Sequence, residues 1–176
     1  MKFLLRAVVS LLVLTVLLCG GLILYLSITE YKPAEAMPVQ ILQQQNRPID
    51  AASELTITTF NIGYAALERD VDFFMDGGTM SRGLSKGRVE QNLNKIIQVL
   101  QSLDSDFYLL QEVDEKSTRS FGINQRENIA KALPDYVSSY AVNYQVGWVP
   151  VPLTQPMGRV LSGLQTLSRY TVHEAV

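Results

Sequence analysis

The chain has 176 residues, 47% of them hydrophobic, and a formal net charge of −2. Only Lys2 and Arg6 among the charged residues precede Glu30, so the rest of the chain holds 13 of the 15 basic residues against all 17 acidic ones. That balance is a poor match for sequence-independent DNA binding, which rests on a basic surface, although a nuclease whose metal ions supply local positive charge stays open. A single cysteine, Cys19, excludes an intramolecular disulfide and a cysteine zinc cluster.

Residues 7–29 (AVVSLLVLTVLLCGGLILYLSIT) carry no charge. As a helix rising about 1.5 Å per residue they reach about 35 Å, enough for a hydrocarbon core of about 30 Å, and a transmembrane anchor is predicted. The competing reading is a cleaved secretory signal, which wants a shorter apolar region and a small-residue cleavage site. Here apolar character resumes after Cys19-Gly20-Gly21 as LILYL at 22–26, and a lipoprotein site at Cys19 would have Leu18 where a small residue is wanted. Lys2 and Arg6 flank the N-terminal end, so the positive-inside bias predicts a single-pass protein of the cell membrane with a cytoplasmic N-terminus and an extracytoplasmic domain. Residues 30–54, with three prolines, a glutamine run at 43–45 and no sustained periodicity, read as a tether. The expected organisation is therefore tip and anchor at 1–29, tether at 30–54 and a domain over 55–176.

Within the domain, LTITTF at 55–60 is rich in β-branched residues and predicts a strand ending at Asn61. A Gly- and Asp-containing loop over 70–83 follows. Val89, Leu93, Ile96, Ile97, Leu100 and Leu103 then recur at helical spacing, with Ser85 placed to cap the first turn. Asp104, Ser105 and Asp106 break the pattern, and FYLL at 107–110 predicts a short strand that delivers Gln111 and Glu112. A second helix over about 124–133 is stopped by Pro134, and strand-like segments follow at 136–144, 145–149, 163–168 and 171–176. Strand, helix, strand, helix and several strands predict an α/β layer structure with helices packed on a sheet. His173, in the last of these segments, reads as a half-buried or exposed strand residue with no catalytic role.

Asn61 and Glu112 stand at the ends of two predicted strands. A hard cation such as Mg²⁺ takes oxygen ligands, usually one or two carboxylates, and fills its other positions with water and substrate phosphate, so Glu112 suits it. Taken alone, a Glu at a strand end is more often a solvated charge or a salt-bridge partner, and an Asn just before a glycine is more often a turn residue.

TFNIGY at 59–64 and FYLLQEVD at 107–114, separated by one amphipathic helix, resemble the first two signature segments of the endonuclease/exonuclease/phosphatase superfamily, whose members include DNase I-like nucleases, sphingomyelinases and inositol polyphosphate phosphatases. GLQTLSRY at 163–170 resembles that family's Gly-led strand ending in Leu-Ser-Arg. DFFMDGGTM at 72–80, INQREN at 123–128 and NYQVGWVPVP at 143–152 look like a subgroup of bacterial members of unassigned substrate. The resemblance implies a two-sheet α/β sandwich that hydrolyses phosphate esters of a lipid, a small molecule or a nucleic acid. It further implies that Glu112 ligates a catalytic Mg²⁺ or Mn²⁺ and that Asn61 lies beside it, helping to hold the metal or its water. Asn143 and Arg119 are the candidates to face substrate, since the guanidinium suits phosphate oxygens, while Gln111 reads as a structural hydrogen-bonding residue.

The Gly-Asp-x-Asn and Ser-Asp-His elements that complete the family pattern are not in this sequence, and His173, preceded by Val172, does not match the terminal His. These 176 residues are therefore expected to be the N-terminal part of a longer enzyme. Half of a two-sheet sandwich would leave one sheet face uncovered. The competing reading is a non-catalytic, membrane-anchored extracytoplasmic binding or structural module.

Overall fold

The structure, a computed structural model, describes residues 2–50 and 52–176. It divides into two units, the first ending at Lys32 and the second running Pro33–Val176.

The first unit is essentially one helix, α1 (Lys2–Ile28), 27 residues long with no buried side chain. It is long and apolar enough to cross a membrane or to serve as a signal sequence. Thr15 and Thr29 return their hydroxyls to carbonyls four residues back, so even these polar side chains are satisfied within the helix.

The second unit is mixed α/β. Its strands are β1 (Ile41–Leu42), β2 (Ile57–Asn61), β3 (Phe107–Asp114), β4 (Val137–Val149) and β5 (Gly158–Ser168), and its helices are α2 (Lys86–Leu103) and α3 (Gln125–Ala132). They form one five-stranded sheet in the order β1-β4-β5-β3-β2. β2 and β3 are parallel, joined by the crossover through α2, and the other pairings are antiparallel.

α2 forms where the apolar spacing predicts it, and Ser85 accepts the Arg88 N–H as its N-cap. The helix stops at Asp104, which adopts the left-handed conformation (φ 51°) and leaves the next residues free to turn into β3. The Tyr108 hydroxyl fastens that turn, donating to the Leu100 carbonyl and accepting from the Ser105 N–H. Val89, Leu93 and Leu100 of α2 and Ile129 of α3 pack on Tyr108 and Leu110 of β3 and Leu167 of β5, and this layer is the core.

The opposite face of the sheet is open. Leu109 lies in register between Thr59 and Thr166 and is 40% exposed, and Ile57 and Leu164 on the flanking strands are 65% and 42% exposed.

Several segments differ from the sequence reading, and the strand predicted at 107–110 is one of them: β3 runs on through Glu112 to Asp114, because its pairing with β5 resumes at Val113. The predicted strands at 136–144 and 145–149 are one continuous strand, β4, because pairing with β5 runs along both. β5 starts at Gly158, five residues before the predicted 163, for the same reason. Residues 171–176 form no strand: the Thr171 N–H donates to the Arg47 carbonyl and the Ala175 carbonyl accepts from Val39, so this tail packs along the chain that enters the domain. That entering chain, inside the stretch read as a tether, also supplies the edge strand β1 and hydrogen bonds from Gln43 and Gln45 to carbonyls of Ala130 and Pro134.

Candidate functional site

β2 and β3 run parallel with Asn61, the last residue of β2, opposite Gln111, and Glu112 is the next residue along β3, which continues to Asp114. Between the pairs Leu110–Gln165 and Val113–Gly163, β3 holds two residues where β5 holds only Leu164. The extra residue makes a β-bulge, and Glu112 adopts the left-handed backbone (φ 54°). Bulges re-aim side chains, and a non-glycine residue at positive φ costs of order 1–2 kcal/mol, which other contacts must offset. Here the bulge turns Glu112 towards β2, where its Oε1 accepts a hydrogen bond from Asn61 Nδ2 at 2.9 Å.

The orientation of Asn61 is fixed from its other side. Its Oδ1 accepts the Gly63 N–H at 2.9 Å, so its NH₂ group is the part that faces Glu112. The amide therefore positions the carboxylate and occupies only one of its acceptor positions. Gln111 plays the structural part expected of it, donating to Thr59 Oγ1 and the Leu109 carbonyl.

Asn143 is brought to the same level of the sheet. It is the extra residue of a second bulge, where β4 runs from Val142 to Tyr144 while β5 runs from Gly163 to Ser162. The two bulges thus flank Gly163, which pairs with Val113 on one side and Val142 on the other. Gly163 leaves no room for a side chain, since an added Cβ would fall 2.3 Å from the Ala141 carbonyl oxygen. By the strand spacing of about 4.8 Å, Asn143 stands roughly 10 Å from the Glu112 strand.

Arg119 is placed elsewhere, in a buried layer. Its Nε and Nη2 hold the two oxygens of Asp114 at 3.1 and 2.9 Å, Ser120 Oγ adds a third bond to that carboxylate, and the guanidinium lies 3.7 Å from the centroid of the Tyr64 ring. Arg119 is only 7% exposed and Asp114 0%. Tyr64 and Ala65 continue a run of positive-φ residues begun at Gly63, which folds the chain after β2 back so that the Tyr64 carbonyl accepts from Gln125 of α3. Burial pushes the Tyr64 phenol well above its ordinary range; the Glu112 and Asp114 charges add to that shift and Arg119 opposes it. Sequence reasoning passed over this support, and its signal was the position of Tyr64 at the end of TFNIGY and of Asp114 at the end of FYLLQEVD.

Among the described residues no three His, Cys, Asp or Glu side chains converge as a metal cage. One oriented, half-buried carboxylate fits a Mg²⁺ or Mn²⁺ ion that keeps most of its waters, with the other ligands coming from water and substrate. His173 is exposed and outside any strand. Set against family models, curated proteins and solved structures, the chain gives no match in any of the three comparisons.

Proposed function

We propose that this chain is the metal-binding part of a membrane-anchored phosphoesterase of the endonuclease/exonuclease/phosphatase type, working outside the cytoplasm. The observation that carries the reading is the Asn61–Glu112 pair: two residues far apart in sequence meet at neighbouring strand ends, with the carboxylate held at a strained bulge by an amide of fixed orientation. Strain kept at one polar residue beside an open sheet edge is a hallmark of a functional site. The chemistry that a divalent cation would supply here is polarisation of a phosphate ester and stabilisation of the charge that develops as water attacks. Glu112 would hold it, Asn61 would keep Glu112 in place, and Asn143, across Gly163, would reach the substrate's phosphate or its leaving group. The proton of the attacking water would pass to a base outside these residues.

Support for a second sheet comes from the open face. Ile57, Leu109 and Leu164 form an apolar surface on the side away from the helices, the side that a sandwich partner would cover. In this reading Lys2 and Arg6 hold the N-terminus in the cytoplasm and the domain lies outside.

The test is Mn²⁺ binding to the full chain in detergent, followed by the loss of the free-ion electron paramagnetic resonance signal. One ion should bind, and Glu112→Gln should weaken binding at least tenfold. Asn61→Ala should weaken it less, because it removes the orienting amide and leaves the ligand. Binding that is unchanged in Glu112→Gln would sink the assignment.

A further inference from the structure

Between Asp135 and Arg159 the sequence has no Asp, Glu, Lys or Arg. This charge-free run is β4 with the tip that connects it to β5, whose second residue is the exposed Arg159, and unlike a core segment it exposes large side chains: Tyr144 is 42% exposed, Trp148 43%, Val151 43% and Leu153 86%. The tip is also held in shape. Ser81 Oγ and the Arg82 guanidinium bond the Gln155 and Pro156 carbonyls, and within the tip Met157 donates to the Val151 carbonyl. A rigid, uncharged projection carrying Trp, Tyr, Val and Leu costs solubility unless something apolar receives it.

We infer that the tip of the β4–β5 hairpin is a membrane-docking element that inserts Trp148 and Leu153 into the interfacial region of a lipid bilayer. Three observations select lipid over a protein occupant. The side chains are those that favour the bilayer interface, with Trp and Tyr as amphipathic anchors beside purely apolar Val and Leu. The absence of charge from residue 136 to residue 158 removes most of the side chains that would be costly to bring into the headgroup and acyl boundary, and Arg159 beside them has a stem long enough to keep its charge among the headgroups. The chain also begins with a helix able to span a membrane, and from Ile28 to Val39, where the domain's first backbone contact forms, the covalent connection is at most about 40 Å of extended chain at 3.3–3.6 Å per residue. A bilayer is thus always within reach, and even weak docking is favoured by the high effective concentration. The inference rests on α1 being a retained anchor and is independent of the phosphoester chemistry.

Trp148 is the sole tryptophan of the chain, so intrinsic fluorescence reads the hairpin tip and nothing else. The full chain is reconstituted into phosphatidylcholine vesicles, and its emission is compared with the same chain in vesicles whose lipids carry bromine at a shallow acyl position. The expected result is blue-shifted emission, at least twofold quenching by the brominated lipid, and protection from aqueous acrylamide. Leu153→Asp, at an exposed tip position, should reverse all three effects. Emission that is open to acrylamide and indifferent to bromine would overturn the inference. Shielding from both quenchers would overturn it as well, by assigning the tip to a protein partner. Recovery of the chain with the vesicles on flotation reports anchoring separately, so a chain that fails to float refutes the anchor and one that floats with a water-exposed Trp148 refutes the docking.

Discussion

Glu112 spends backbone energy to present one carboxylate. If its positive φ is imposed by the bulge, then Glu112→Gly should be more stable than Glu112→Ala by about 1 kcal/mol, because both lose the side chain and only glycine tolerates that backbone. Urea unfolding of the two variants checks this, and equal midpoints would mean that the bulge relaxes when the side chain leaves. Asp106 shows the ordinary use of a carboxylate. It accepts the N–H and hydroxyl of Thr56 and the hydroxyl of Tyr170, and these bonds, the Thr56 ones foremost, hold its pKa below the usual range. Its stabilising contribution is therefore complete above the unfolded-state pKa and is lost as pH falls through the lower folded value. Asp106→Asn should flatten that part of the acid limb of a stability profile measured by urea unfolding from pH 6 down to about 2, a window set by the ordinary Asp pKa of about 3.9.

At the scale of elements, β3 joins the two layers of the site: its end carries Glu112 in the open and Asp114 in the buried layer. Arg119 decides between a structural and a substrate-facing role. Arg119→Met leaves the Asp114 carboxylate buried without its partner and should cost about 3–5 kcal/mol, seen as a lower thermal midpoint. Replacing Arg119 and Asp114 together by apolar residues should restore part of that loss. A fully stable Arg119→Met would put the guanidinium back among the substrate contacts. α2, its Ser85 cap and the strands of β2 and β3 were legible in the sequence, since apolar spacing and β-branched composition write those elements locally. The bulges at Glu112 and Asn143 were not, because they are set by how many residues β5 offers across the ladder. The burial of Arg119 was hidden for the same reason: it depends on an Asp five residues away and on a Tyr brought in from the other side of α2.

Across the whole molecule, the open sheet face is the largest departure from what a stable α/β layer needs. Ile57, Leu109 and Leu164 are the residues that this face leaves in water. Leu109→Lys should change the stability of this chain by less than about 0.5 kcal/mol, as for an ordinary surface position, while lowering its binding of an apolar dye and its tendency to aggregate. A large loss of stability on that substitution would show that Leu109 is packed in solution. In a longer protein with a second sheet on this face, the same substitution should be severe.

Glu112 and the amide that aims it are 51 residues apart in the chain, yet both belong to a single strand–helix–strand crossover, β2-α2-β3. Their hydrogen bond therefore closes a long loop whose two ends are the edge strand of the sheet and its neighbour. An excursion that peels β2 from β3 separates the pair at once. Cation occupancy, by favouring the closed loop, would act as a latch on the fraying edge of the sheet, so the ion would order the domain as well as serve its chemistry.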